Sequence, residues 1–149
     1  MPTARWLYFA ASGIVEPMSF ASRCVNRSTD RRWLALAVAY AALVFFISSR
    51  PYLRAPGPEF ELKDNIAHAV EYGVLAALLF RALAPLVWPD AAIAFLLVVT
   101  ATASVAAADE VFQGTIAGRH RDVVDWVSDV TGAAAAAALS IAWARRLPA

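Results

Sequence analysis

Long apolar stretches alternate with short polar segments along this chain of 149 residues. The apolar stretches cover residues 33–49, 64–81, 91–108 and 123–144. Each is close to the length of about 17–25 residues that a bilayer-spanning helix requires. Prolines fall after the first and second stretches, where a helix can end without losing internal hydrogen bonds. The pattern therefore predicts four membrane-spanning helices joined by short loops.

Composition favours a membrane protein over a soluble helical bundle. Hydrophobic residues make up 60% of the chain, charged residues 17%, and the mean hydropathy is +0.56, whereas soluble domains carry about 25% charged residues. Helices of a soluble bundle have a polar face, and the first and third stretches have almost none. Trp33, Trp88, Trp126 and Trp143 lie near predicted helix ends, as in an interfacial aromatic belt. We predict an all-α, integral membrane four-helix bundle embedded in a lipid bilayer.

The chain divides into residues 1–32, predicted as a cytoplasmic or interfacial extension, and residues 33–149, predicted as the four-helix transmembrane domain. The apolar segment "RWLYFAASGIV" near the N-terminus is too short to span a bilayer. A signal-like segment, or an upstream extension with Met18 as the true start, remains open as an alternative.

Eight Lys and Arg residues fall on the N-terminal side of the predicted membrane and five on the other. This bias predicts that both termini are cytoplasmic.

Charge and cysteine content exclude two kinds of function. The formal net charge of +1 gives no overall basic field of the kind that indicates nucleic-acid binding. Cys24 is the single cysteine of the sequence, which excludes an internal disulfide and a cysteine-based zinc site.

Polar residues gather at the start of the second predicted helix, in "KDNIAHAVEYG". At about 100° per residue, Asp64, His68, Glu71 and Tyr72 fall within an arc of about 100°. Charged groups are costly inside a membrane and normally face other protein groups or water. This face is therefore a candidate site.

The third and fourth predicted helices carry similar groups in "DEVFQ" and "GRHRDVVDWVSDVTG". Asp109 and Gln113 are i, i+4 neighbours, and Glu110 lies at the margin of their face. Asp122, Asp125 and Asp129 share one face of the fourth helix, with Arg119 a turn above. All these polar ends fall on the predicted extracytoplasmic side, where they must face one another or a water-filled cavity. Because carboxylates are in excess, either some are protonated or a cation completes the site.

The three motifs "KDNIAHAVEYGVLAALLFRAL", "DEVFQ" and "GRHRDVVDWVSDVTGA", in this order and spacing, resemble the VanZ-like family. The resemblance covers residues from about 45 to 140. It implies a four-helix, multi-pass protein of the bacterial plasma (inner) membrane, in a family with one member linked to teicoplanin resistance. The positions that it singles out are Lys63, Asp64, His68, Tyr72, Asp109, Glu110, Gln113, Arg119, Asp125 and Gly132. At position 129, where the family commonly has Asn, this chain has Asp.

Three hypotheses for function follow from these residues. In the first, the polar site binds a cell-envelope component, lipid-linked or peptidoglycan-related, or a glycopeptide-type ligand. In the second, the protein is a membrane-embedded hydrolase or transferase acting on a lipid-linked envelope precursor. In the third, it is a membrane scaffold subunit whose polar groups hold the helices together. The residues predicted to bind a ligand are Lys63, Tyr72, Gln113, Arg119, Asp122 and Asp129.

The enzyme hypothesis assigns further roles. His68 acts as general acid or base, because its ordinary titration lies near working pH. Asp64 or Glu71 orients His68, and Asp125 completes the catalytic group. Asp109 and Glu110, with Asp125 nearby, are predicted to hold a divalent cation through oxygen ligands. Arg119 and Lys63 are predicted to contact a phosphate or carboxylate of the substrate.

The alanine-rich run from Gly132 to Ser140 predicts a closely packed helix surface. Small residues let helix backbones approach each other in a membrane, where no hydrophobic force drives association.

Overall fold

A computed structural model of the protein describes residues 29–51 and 62–146. Within these residues the chain forms helices and no strand. The α-helices are α1 (Arg31–Ser48), α2 (Lys63–Leu83), α3 (Ala91–Gln113) and α4 (Val123–Ala144), and a short 3-10 helix (Ala84–Leu86) follows α2. All four α-helices are long and apolar enough to cross a membrane. The prediction of an all-α chain with four such helices is therefore confirmed.

The helix bounds lie close to the predicted ones. The apolar stretch of α3 ends at Ala108, and the helix continues through the polar segment "DEVFQ" to Gln113, as predicted. The orientation of the termini relative to the cytoplasm stays a prediction. Most of the predicted extension, including Met18, lies outside the described residues.

Aspartate N-caps begin three of the four helices. Asp30 accepts a hydrogen bond from the backbone N–H of Arg32, and Asp90 accepts two from the N–H groups of Ala92 and Ile93. Asp122 accepts one from Val124 at 2.7 Å. The first turn of a helix has backbone donors without intrahelical partners, and these carboxylates satisfy part of them.

Helix α2 lies at the centre and contacts α1, α3 and α4. Its large side chains Tyr72, Leu75 and Phe80 are at most 2% exposed. Apolar side chains such as Leu36 and Val38 of α1 point outward, as expected for surfaces that face lipid.

The contact between α2 and α4 is close enough to require glycine. A Cβ atom at Gly132 would lie 1.9 Å from the carbonyl oxygen of Ala69. Ala133 and Ala137 continue the buried face of α4, and both are fully buried. The structure thus shows the close packing that the alanine-rich run predicts.

Candidate functional site

The antiparallel arrangement of successive helices collects polar residues at one end of the bundle. The start of α1 lies beside the end of α2, where the Asp30 N–H donates to the Ala82 carbonyl. At the other end, Ser48 of α1 donates to Asp109 of α3. We call that second end the polar end, which comprises Ser48, His68, Tyr72, Asp109, Glu110, Gln113, Arg119, Asp122, Asp125 and Asp129.

Asp109 is the centre of a buried network that joins three helices. Its Oδ2 atom accepts hydrogen bonds from Ser48 Oγ at 2.8 Å, Tyr72 OH at 3.1 Å and Gln113 Nε2 at 2.8 Å. Arg119 Nη2 donates to the side-chain oxygen of Gln113. Asp109 is only 1% exposed, and three donors to one oxygen compensate the burial of its charge. This network stabilises the packing of α1, α2 and α3.

The loop between α3 and α4 turns back at Gly118, which has a φ angle of 79°. Residues with a Cβ atom rarely adopt this conformation. The turn returns the chain so that Arg119 reaches Gln113.

His68 lies between two carboxylates of α4. Its Nδ1 atom is 3.0 Å from Asp129 Oδ1, and its Nε2 atom is 3.7 Å from Asp125 Oδ2. Asp129 is buried, whereas the side chains of His68 and Asp125 are 13% and 25% exposed. Because Asp125 and Asp129 are one helical turn apart, the two together fix the plane of the imidazole. An imidazole held in this way can transfer a proton or bind a metal ion.

Glu110 belongs to a second part of the polar end. Its Oε2 atom accepts a hydrogen bond from the backbone N–H of Asp122 at 2.8 Å. Its Oε1 atom is buried and has no hydrogen-bond partner within residues 29–51 and 62–146. One ligand atom each from His68, Glu110 and Asp129 lies within 4.8 Å of the others. This group includes Glu110 of the two predicted metal ligands but not Asp109. Asp109 Oδ2 accepts three hydrogen bonds, and its Oδ1 atom is also buried without a partner in the described residues.

A surface cavity of about 370 Å³ opens beside Glu110, between α3 and α4. It is lined by Ala107, Glu110, Arg121, Asp122, Val123 and Trp126. The indole N–H of Trp126 donates to the carbonyl oxygen of Ala103 at 3.1 Å, which fixes the ring against α3. The exposed surface of the cavity is therefore mostly apolar, with a flat aromatic face, and the charged groups of Glu110, Arg121 and Asp122 contribute little of that surface.

The remaining predicted site residues occupy different environments. Asp64 is exposed, Glu71 is half-buried and Lys63 is only 7% exposed. Tyr72 is 1% exposed and contributes to the Asp109 network instead of lining the cavity. Asp122 combines its predicted place at the site with the N-cap of α4. The catalytic and ligand-binding roles of these residues stay predictions.

Three polar contacts of the site involve residues that the sequence analysis missed. Ser48 reaches Asp109, Asn65 Nδ2 donates to Ser128 Oγ at 3.2 Å, and Tyr40 OH donates to the backbone carbonyl of Glu71 at 3.2 Å. Ser48 ends the first apolar stretch on the same side of the predicted membrane as the other polar motifs. That position in the sequence was the available signal that Ser48 could contact the polar residues of the other helices.

The structure has four helices able to cross a membrane and a buried polar network at one end of the bundle. These features are consistent with a multi-pass membrane protein. A family model described as VanZ/LLP1 matches residues 7–144, so the chain belongs to the VanZ/LLP1 family. The match begins within the predicted extension of residues 1–32 and is longer than the resemblance of about 45–140. Comparisons with curated proteins and with solved structures give no match.

Proposed function

We propose that the polar end binds a cell-envelope component or a glycopeptide-type ligand at the outer face of the bacterial plasma membrane. The observation that carries the proposal is the cavity of about 370 Å³ lined by Glu110, Arg121, Asp122 and Trp126. Sites for small molecules are usually about 300–1,000 Å³. The cavity therefore has room for one group of a large ligand, while the rest of the ligand lies on the surface.

The lining favours a flat or apolar ring, and an amine of the same ligand can lie near the charged residues that border the cavity. Asp122 borders the cavity and supplies negative charge for such an amine. The indole of Trp126 supplies a face that binds cations and rings. Arg121 supplies a donor for a carboxylate or phosphate of the same ligand.

Binding of teicoplanin to the purified protein in detergent tests this proposal, measured by isothermal titration calorimetry. Asp122→Asn removes one charge from the cavity and keeps an N-cap, because asparagine also caps helices. We expect roughly two- to fivefold weaker binding, as for the loss of one exposed charge pair. The matched control is Asp90→Asn, the same change at the N-cap of α3 at the other end of the bundle.

The ligand can be varied in the same assay. Acetylation of the teicoplanin amines is expected to weaken binding as much as Asp122→Asn or more, and high salt is expected to do the same. Equal affinity for Asp122→Asn, Asp90→Asn and the unmodified protein, or the absence of saturable binding, would contradict the proposal. A lipid-linked peptidoglycan precursor in the same titration tests the envelope-component form of the proposal.

The position of His68 between Asp129 and Asp125 favours a second candidate, a hydrolase or transferase acting on a lipid-linked envelope precursor. His68 would take a proton from water or an acceptor hydroxyl and return it to the leaving group, while Asp129 orients its ring. Incubation of the purified protein with a lipid-linked precursor tests this activity by mass spectrometry of the products. Turnover that His68→Ala abolishes supports it, and an unchanged precursor contradicts it.

A further inference from the structure

Three helices each contribute one potential metal ligand to the same point of the polar end. His68 comes from α2, Glu110 from α3 and Asp129 from α4, and their ligand atoms all lie within 4.8 Å of one another. The ligands are distant in sequence, so only the packing of α2, α3 and α4 brings them together. Such convergence is typical of metal sites in the cores of helix bundles.

The Glu110 carboxylate provides independent evidence for a ligand. Glu110 is only 7% exposed, and its Oε1 atom has no hydrogen-bond partner in the described part of the chain. Its Oε2 atom is held by the Asp122 N–H at 2.8 Å, so the carboxylate is fixed. A buried, unpaired carboxylate oxygen is costly unless a donor or a cation compensates it.

The surrounding charge points to a cation. Asp129, which is 1% exposed, and Asp125 lie on two sides of His68, and Glu110 adds a third carboxylate. Carboxylates that are close together and shielded from water destabilise one another. A divalent cation among them removes this repulsion and provides a partner for Glu110.

We propose that His68, Glu110 and Asp129 bind Zn²⁺ or a related first-row divalent cation. One imidazole and two carboxylates are a ligand set for Zn²⁺ or Mn²⁺, whereas Mg²⁺ and Ca²⁺ prefer oxygen ligands alone. Zn²⁺ lies about 2.0–2.2 Å from such ligands, so small torsions of the side chains close the group around the ion. Three protein ligands leave a coordination position for water or another ligand.

The geometry also assigns the two nitrogens of His68. Nδ1 faces Asp129 at 3.0 Å and Nε2 faces Asp125 at 3.7 Å. With Nδ1 on the metal, Nε2 keeps its place opposite the Asp125 carboxylate, whose charge at 3.7 Å attracts the ring N–H without a direct hydrogen bond. Asp125 is therefore a positioning residue for the metal site.

Metal binding does not depend on the proposed ligand binding, although Glu110 borders the cavity. Asp122→Asn tests the ligand and retains all three metal ligands. The two proposals can consequently fail separately.

Titration of the metal-free protein with Zn²⁺ tests the site, using the full chain in detergent after removal of metals with a chelator. We expect one high-affinity Zn²⁺ per chain, and roughly tenfold or greater loss of affinity in His68→Gln and Glu110→Gln. The matched control is His120→Gln, because His120 is the other histidine and is exposed in the loop before α4. Its affinity should equal that of the unmodified protein.

Glu110→Gln also gives a readout that a merely structural role would not produce. The amide oxygen keeps an acceptor for the Asp122 N–H, and the NH2 group takes the place of the unpaired Oε1 atom. Without metal, this variant should unfold at the same temperature as the unmodified protein or higher. With Zn²⁺, only the unmodified protein should gain stability, because a ligand stabilises the state that binds it. Equal stabilisation of both proteins by Zn²⁺, or binding of Mg²⁺ in preference to Zn²⁺ and Mn²⁺, would overturn the proposal.

Discussion

Replacing Gly132 by alanine tests the close packing of α2 and α4 that positions His68 beside Asp129. A Cβ atom at this position would lie 1.9 Å from the carbonyl oxygen of Ala69, whereas ordinary contact begins at 3.4 Å. The difference, 3.4 − 1.9 = 1.5 Å, is the distance by which atoms must move apart. Both sides of the contact are helix backbone, so the helices themselves must separate.

The expected cost follows from two opposing effects. Overpacking costs about 1–3 kcal/mol, and this contact belongs at the upper end because no flexible side chain can move aside. Alanine is a better helix former than glycine by about 1 kcal/mol. The net loss is then about 2 kcal/mol, which lowers the Tm by roughly 6 °C for a chain of this size.

Thermal unfolding in detergent, followed by circular dichroism, measures this loss. The graded control is Gly73→Ala, whose Cβ atom would lie 3.3 Å from the carbonyl oxygen of Gly132. We expect less than half the loss of Gly132→Ala in that variant, since only a small shift is needed. A Gly132→Ala variant as stable as the unmodified protein would refute the packing argument.

Three further substitutions test other parts of the structure by the same unfolding assay. Asp109→Ala removes an oxygen that accepts three hydrogen bonds and should cost about 2 kcal/mol, at about 0.6 kcal/mol for each intramembrane bond; Asp109→Asn, which keeps an acceptor, should cost less. Gly118→Ala forces a Cβ atom into a φ angle of 79° and should cost about 1–2 kcal/mol. The same change at Gly114, which has a φ angle of −61°, should cost less, because it only displaces the flexible side chain of Arg121. Asp90→Ala removes the cap of α3 and should cost about 1 kcal/mol, whereas Asp90→Asn should be close to neutral. Equal stability within any of these pairs would contradict the corresponding contact.

The sequence predicted the four helices because a bilayer restricts the length of an apolar span. It predicted the shared polar end because helical periodicity places His68 on one face of α2 and Asp125 with Asp129 on one face of α4. Residue size also predicted the closely packed surface that begins at Gly132, although it did not identify Ala69 as the contact. These features depend on local chain geometry and on the solvent.

Other features depend on which neighbour covers a residue, and periodicity does not contain that information. Asp109 and Glu110 are adjacent, and the sequence predicted both as metal ligands. In the structure, Asp109 accepts hydrogen bonds from three side chains, whereas Glu110 accepts one from the backbone N–H of Asp122 before α4. Asp64 shares the predicted arc with His68 and is nevertheless exposed. Ser48 was missed because its position at the end of the first apolar stretch was the available signal, and a hydroxyl there does not by itself identify a partner.

Cysteine labelling in intact cells tests most directly whether the polar ends of the helices share the outer side of the membrane. In a Cys24→Ser background, Leu62→Cys and Ala117→Cys place thiols at exposed positions of the polar end, and Arg146→Cys places one at the opposite end. We expect a membrane-impermeant maleimide to label the first two in intact cells and Arg146→Cys only after permeabilisation. Labelling of Leu62→Cys and Ala117→Cys on different sides, or of both only after permeabilisation, would contradict the proposed outer site.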